Sequence, residues 1–121
     1  VIVQDAGEAA ILRSCAPKMP LHASTQMVVH NAEGARRLES MGFSRVVAAR
    51  ECTREELAAI AAGTSMQVEA FVHGALCMSV SGQCYLSSVL GRRSGNRGCA
   101  RSRAVWRLRR AAAVMRFHSR I

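Results

Sequence analysis

Beyond Gly91 the sequence contains neither an acidic residue nor a lysine, although it contains ten arginines. The first 91 residues carry seven basic and eight acidic side chains, so their net charge is −1. The formal charge of +9 therefore comes entirely from the C-terminal segment. A strongly basic chain usually indicates a polyanionic partner, but here that interpretation applies only to the tail.

Other absences narrow the class of protein. No run of about 18 apolar residues occurs, so no membrane span is predicted. The five cysteines do not form the pattern of a small secreted disulfide framework, which favours a reducing, cytoplasmic location. No glycine-rich phosphate loop follows the first predicted strand, and neither an HExxH motif nor a Ser–His–acid constellation is present. A dinucleotide-binding fold and the common protease sites are therefore not indicated.

What the sequence does contain is a regular alternation of strands and helices. Short apolar runs begin near residues 1, 21, 45 and 66, and helical patterns separate them. In the fourth run small and apolar residues alternate with their neighbours through Val72, as in a strand. Asn31 is the predicted N-cap of the second helix, and Thr53 with Glu56 forms a capping box at the third. Gly42 and Gly63 suit the ends of these helices. The order β-α-β-α-β-α-β predicts an α/β fold with parallel strands, which fits either a doubly wound sheet or a (β/α)₈ barrel.

Polar side chains follow each predicted strand, and this pattern favours the barrel, because barrel enzymes build their sites at the carboxyl ends of the strands. The alternative is that loops are polar in any fold. A complete barrel needs roughly 250 residues. We therefore expect the chain to be a fragment that supplies about half of a TIM-type barrel. The strand-end polar residues are Gln4, Asp5, His22, Ser24, Thr25, Gln26, Arg50, Glu51 and His73.

Two cysteines, Cys77 and Cys84, lie seven residues apart just after the fourth predicted strand. Two thiolates on one loop are half of a soft-metal or iron–sulfur site, whereas buried free cysteines are the alternative explanation. Cys15 falls in the first helix and is predicted to belong to the core. Cys52 precedes a helix N-terminus, which is expected to lower its pKa, but we predict a passive role for it.

The stretch EAFVHGALCMSVSGQCYLSS, residues 69–88, resembles the signature of the collagenase-like peptidase family U32. The segments VIVQDAG, LHASTQM and RVVAARE resemble the preceding barrel strands of that family, and GRRSGNRG resembles the family segment just after the signature. The resemblance runs from Val1 to Gly98 and implies that residues 1–98 are a partial barrel domain with a cysteine loop. The matching signature residues are Glu69, Phe71, Gly74, Ala75, Leu76, Cys77, Gly82, Cys84, Leu86 and Ser87.

The resemblance implies an enzyme and leaves two functions open. Members are classed as peptidases, some of them collagen-degrading, so proteolysis of a peptide substrate is our main expectation for the parent protein. The alternative is hydroxylation of transfer RNA, ribosomal RNA or ubiquinone precursors, in which four cysteines hold a [4Fe–4S] cluster. Cys77 and Cys84 match the first two of those ligands. Two thiolates cannot supply four ligands, so the fragment itself is expected to be inactive.

The family resemblance also suggests candidate catalytic residues. His22, Gln26, Glu51 and His73 lie in well-matched stretches at predicted strand ends, where they are expected to face substrate. A structural hydrogen-bonding role explains them at least as well, because buried polar groups at a barrel rim need partners.

The basic tail departs from the family pattern. The family reads NRGxCAQPCR, whereas here NRG is followed directly by CARSRA. If Leu-Cys-Ala-Gln-Pro-Cys is coded CTG TGC GCG CAG CCG TGC C, losing the first base gives Cys-Ala-Arg-Ser-Arg-Ala, which matches Cys99 to Ala104. We therefore interpret residues 99–121 as an out-of-frame extension. Cys99 is then not the family's third ligand.

The alternative is a genuine basic tail and a third class of function. From Ala104 onward apolar residues fall at helical spacing with arginines around them, as in a basic amphipathic helix. Such a helix would make the chain a stand-alone module that binds RNA or a membrane surface, and non-specific polyanion binding is expected whatever its origin. The residues at helical spacing are Val105, Leu108, Ala112 and Met115.

Overall fold

The computed structural model describes residues 1–74, 77, 79–85, 88, 89 and 92, so the predicted tail helix and Cys99 lie outside the described residues. Strands and α-helices alternate in the predicted order, which confirms an α/β fold. A 3₁₀ helix, Thr25–Met27, was not predicted. The elements are β1 (Ile2–Val3), α1 (Ala6–Cys15), β2 (Leu21–Ala23), α2 (Ala32–Ser40), β3 (Phe43–Val47), α3 (Arg54–Gly63) and β4 (Gln67–Glu69).

The four described strands form one parallel sheet in the order β1-β2-β3-β4. One row of paired residues runs through Val3, Ala23, Val46 and Val68. Side chains of this row pack in a single apolar cluster with residues from all three α-helices. The helices therefore cover the same face of the sheet, as right-handed crossovers between successive neighbouring strands require.

The core between helices and sheet is small but fully buried at its centre. Val3, Leu21, Val46 and Ile60 have no exposed surface. Burying an aliphatic side chain of this size contributes about 1.5–3 kcal/mol relative to leaving it exposed. The opposite face of the sheet is partly open among the described residues: Ile2 in β1 is 67% exposed, although Val47 in β3 is buried.

Each α-helix begins at a side chain that accepts hydrogen bonds from the first turn. Asn31 accepts from the Gly34 N–H at 2.8 Å, and Thr53 with Glu56 forms the reciprocal capping box, as predicted. Asp5 caps α1, a role that the sequence pattern did not single out. No helix in the described part of the chain is long and apolar enough to cross a bilayer.

Two predictions about individual elements were wrong. The fourth strand was predicted to alternate through Val72, but β4 ends at Glu69, and Val72 is 95% exposed. Glu69 is the last residue of β4 to pair with β3, so the following residues have no strand beside them among those described. Cys15 was predicted to be buried but is exposed, because it is the last residue of α1 and that helix buries Ala9 instead.

Candidate functional site

The candidate site lies where β3 ends and centres on Arg50 and Glu51. The strand is followed by two buried alanines that extend its hydrogen bonding. The Ala48 N–H donates to the Glu69 carbonyl at 2.9 Å, and the Ala49 N–H donates to the Val29 carbonyl at 2.8 Å. These bonds fix the backbone from which the Arg50 side chain extends.

Arg50 holds the loop that carries Cys77. Its guanidinium donates to the Cys77 carbonyl at 3.1 Å and to the Ser79 carbonyl at 2.8 Å. Its backbone N–H and its Nε donate to Ser81 Oγ, at 3.2 and 3.4 Å. One side chain therefore connects three alternate residues of the loop, a geometry that suits the rigid fork of donors in a guanidinium.

Glu51 completes this network from the other side. Its carboxylate accepts from the Ser81 N–H at 2.6 Å, and Ser81 is fully buried. Desolvation is the largest single influence on the pKa of Glu51 and raises it. Hydrogen bonds from its own N–H and from Ser81, together with the charge of Arg50, outweigh burial, so the pKa is lowered overall. Glu51 is therefore ionised at neutral pH and balances the arginine.

A tight turn anchors the loop at its far end. The Gln83 N–H donates to the Val80 carbonyl at 3.0 Å, and Gly82 has a φ of +73°, as the third position of a type II turn requires. A Cβ on Gly82 would lie 2.8 Å from Val28 Cγ2 and 3.0 Å from the Gln26 carbonyl oxygen. The turn packs this closely against the segment after β2 because it contains glycine.

Cys77 is exposed at the start of this loop, and its thiol is activated. A hydrogen bond from the Ser79 N–H lowers the pKa of Cys77 most, followed by hydrogen bonds from the Arg50 guanidinium and the Ser79 hydroxyl, and brings it to about 7. A thiol with this pKa is substantially deprotonated near neutral pH, and the thiolate is the form that binds metals.

Cys52 behaves in the opposite way to the prediction. Burial raises the pKa of Cys52, and the carboxylates of Glu56 and Glu51 raise it further. Its position before α3 suggested a lowered pKa, but burial and the two neighbouring acids raise the pKa instead. The expected passive role of Cys52 stays a prediction.

The structure brings two of the predicted site residues to the loop. Glu51 bonds Ser81, and Gln26 lies against Gly82. The side-chain Oε1 of Gln26 is buried and has no hydrogen-bond partner among the described residues. His22 is half-buried within β2, and His73 is exposed after β4. The catalytic roles proposed for these residues stay predictions.

The second predicted ligand, Cys84, is half-buried and is the first residue of a second compact unit. Among the described residues, no three His, Cys, Asp or Glu side chains form a group that could hold a metal ion. Sequence reasoning placed Arg50 at a strand end without giving it a role, and it missed Ser81. The sequence signal for Arg50 was its place in a charged pair directly after an apolar strand. No local sequence pattern marks Ser81.

Fold and site together define an α/β protein with a cysteine loop, residues 77–83, at the carboxyl end of a parallel sheet. Arg50 and Glu51 hold this loop by hydrogen bonds. Residues 1–114 match Peptidase family U32, and the chain belongs to this family, which confirms the resemblance. The match extends beyond Gly98 into the basic segment, whose origin stays a hypothesis.

Some curated relatives of this chain are named for RNA hydroxylation and others for proteolysis. The chain is 45% identical over 98 residues, or 81% of its length, to the 23S rRNA 5-hydroxycytidine C2501 synthase of Escherichia coli (strain K12). It is 36% identical over 107 residues, or 88% of its length, to tRNA hydroxylation protein P of the same organism. It is 41% identical over 92 residues, or 66% of its length, to a collagenase of Porphyromonas gingivalis (strain ATCC BAA-308 / W83).

The chain spans only a small part of these relatives: 14% of the rRNA synthase, 24% of the tRNA protein and 22% of the collagenase. No solved structure matches the chain.

Proposed function

We propose that this chain is part of an iron–sulfur-dependent RNA-hydroxylation protein of family U32. The observation that carries the proposal is Cys77, an exposed thiol with a pKa lowered to about 7, on a loop that Arg50 and Glu51 hold. The relatives named for rRNA and tRNA hydroxylation support this alternative better than proteolysis, which was the main expectation from the sequence.

The family resemblance assigns Cys77 and Cys84 to a [4Fe–4S] cluster. Thiolates are the ligands that such clusters take, and these two cysteines would hold two of the four positions. The other two ligands must come from outside the described residues. When bound, the cluster would supply single-electron transfer. The contribution of this chain would be to hold the Cys77 sulfur in place and to keep it deprotonated.

We further propose that the sheet is one sector of a (β/α)₈ barrel. Doubly wound sheets reverse their strand order at a switch point, whereas β1 to β4 follow one another without reversal and carry their helices on one face. The open face, with His22 and Arg45, would then line the barrel interior. The cysteine loop would stand at the carboxyl ends of the strands, where barrel enzymes bind their substrates.

The experiment that tests this function is a segment exchange. Residues 1–98 of this chain replace the matching segment of the E. coli rRNA synthase, and the chimera is expressed in a strain lacking that enzyme. The content of 5-hydroxycytidine in 23S rRNA is measured by mass spectrometry. We expect the chimera to restore the modification and its Cys77→Ser variant to abolish it, while Cys15→Ser, on an exposed helix end, leaves it unchanged.

The opposite outcome is equally specific. If the folded chimera restores no modification, in 23S rRNA or in a parallel exchange into the tRNA protein, and the same segment supports collagen cleavage in the collagenase host, the peptidase assignment replaces ours. Retention of RNA modification in the Cys77→Ser chimera would remove the cluster from the proposal.

A further inference from the structure

Arg50 follows β3 and donates hydrogen bonds to the cysteine loop, but no sequence motif gave it a function. We propose that Arg50 is a positioning residue that holds the Cys77 sulfur ready for metal binding. This inference rests on the proposed function, because it concerns a ligand named there.

The first argument is the number of loop groups that Arg50 reaches. It donates to the carbonyls of Cys77 and Ser79 and to the hydroxyl oxygen of Ser81. These acceptors belong to alternate residues of the loop, and one guanidinium bonds all three. A lysine ammonium is a compact point charge and cannot span the same acceptors. The connection between β3 and these three residues therefore depends on an arginine.

The second argument is that Ser81, to which Arg50 donates, is itself held in place. Ser81 is buried and receives the backbone N–H of Arg50, while its own N–H is accepted by Glu51. The carboxylate compensates the arginine charge, and charge-assisted hydrogen bonds are about twice as strong as neutral ones. Residues 50 and 51 thus hold the loop from two sides, and Cys77 keeps one position relative to β3.

The test is anaerobic titration of the full chain with Co²⁺, followed by the thiolate-to-cobalt charge-transfer absorption. Wild type, Arg50→Gln, Arg50→Lys and Ser81→Ala are compared. We expect Arg50→Gln to weaken Co²⁺ binding about 10–100-fold, the range typical of residues that support metal ligands. Arg50→Lys should recover little of it. At saturating cobalt the band should also shift, because the guanidinium charge beside Cys77 is lost.

Two controls separate positioning from folding. Arg54→Gln removes a neighbouring exposed arginine at the start of α3 and should leave both affinity and band unchanged. Hydrogen exchange of core amides such as Val46 shows whether each variant is folded. If Arg50→Gln unfolds the chain, the Co²⁺ affinities of Arg50→Lys and Ser81→Ala are used instead. Weaker Co²⁺ binding by either of these variants in its folded state supports the inference, and wild-type affinity in both contradicts it.

The outcomes also separate this inference from the proposed function. If the charge-transfer band depends on Cys77, yet folded Arg50 variants bind Co²⁺ as wild type does, the positioning role is wrong and the ligand assignment stands. If the wild-type chain gives no such band, or Cys77→Ser keeps it, the ligand assignment fails and the positioning role fails with it.

Discussion

A single carboxylate, that of Glu39, joins α2 to the segment between α3 and β4. It accepts from Thr64 Oγ1 at 2.8 Å, from the Ser65 N–H at 3.2 Å and from the Ser65 hydroxyl. The Ser65 hydroxyl contributes most to lowering the pKa of Glu39, followed by Thr64. The residue therefore connects elements 25 positions apart in the chain, and its ionisation is coupled to folding.

We predict that Glu39 makes stability fall in acid. Because its pKa is lower in the folded chain, its contribution is fully present above the ordinary glutamate pKa of about 4.3 and is lost as the pH falls through the lowered value. The free energy of unfolding is measured by urea denaturation from neutral to acidic pH. The advantage of wild type over Glu39→Gln should shrink in acid, and Ser65→Ala should reduce it at neutral pH. A pH-independent difference would contradict the prediction.

At the scale of elements, the cysteine loop depends on a glycine turn. Gly82 combines a positive φ with crowding by Val28 and Gln26, whereas a Cβ on Gly74, at a φ of +133°, would meet no atom of the described residues within 4 Å. Both substitutions to alanine strain the backbone, at about 1–3 kcal/mol. Only the one at Gly82 adds overpacking, which typically costs about a further 1–3 kcal/mol.

We therefore predict that Gly82→Ala detaches the loop and that Gly74→Ala does not. Hydrogen exchange of the Ser81 and Arg50 amides is the measurement, because these two amides donate to Glu51 and to Ser81 Oγ. Their protection should fall in Gly82→Ala and stay as in wild type in Gly74→Ala. Equal loss of protection in both variants would show that backbone strain, and not the contact with Val28, governs the loop.

The limits of sequence reasoning also appear at this scale. The caps at Asn31 and Thr53 were predictable because the partners lie three residues apart. The Arg50 contacts join residues 27 to 31 positions apart, and no local pattern encodes such a separation. The pKa of Cys52 was mispredicted for a related reason. The sequence shows that Cys52 precedes a helix, but its burial and its distance from two carboxylates are set by the fold.

At the scale of the whole molecule, the sheet is open among the described residues. β1 pairs only with β2, and β4 only with β3. Free edges of a parallel sheet recruit further strands, and natural proteins protect such edges with charge. If the sheet is half of a barrel, a second copy can supply the missing strands, and the apolar Ile2 side chain would then be enclosed.

We predict that the chain self-associates with increasing concentration, as measured by sedimentation velocity, and that Ile2→Lys opposes this. Burial of a side chain of this size contributes about 1.5–3 kcal/mol, so the dissociation constant should rise at least about tenfold. Ile11→Lys is the matched control, because Ile11 is 65% exposed, close to the 67% of Ile2, but lies on α1. If both lysines weaken association equally, added charge and not the sheet edge is responsible. If wild type stays monomeric at all concentrations, the open sheet does not recruit a second copy, and the self-association expected of a half-barrel is wrong.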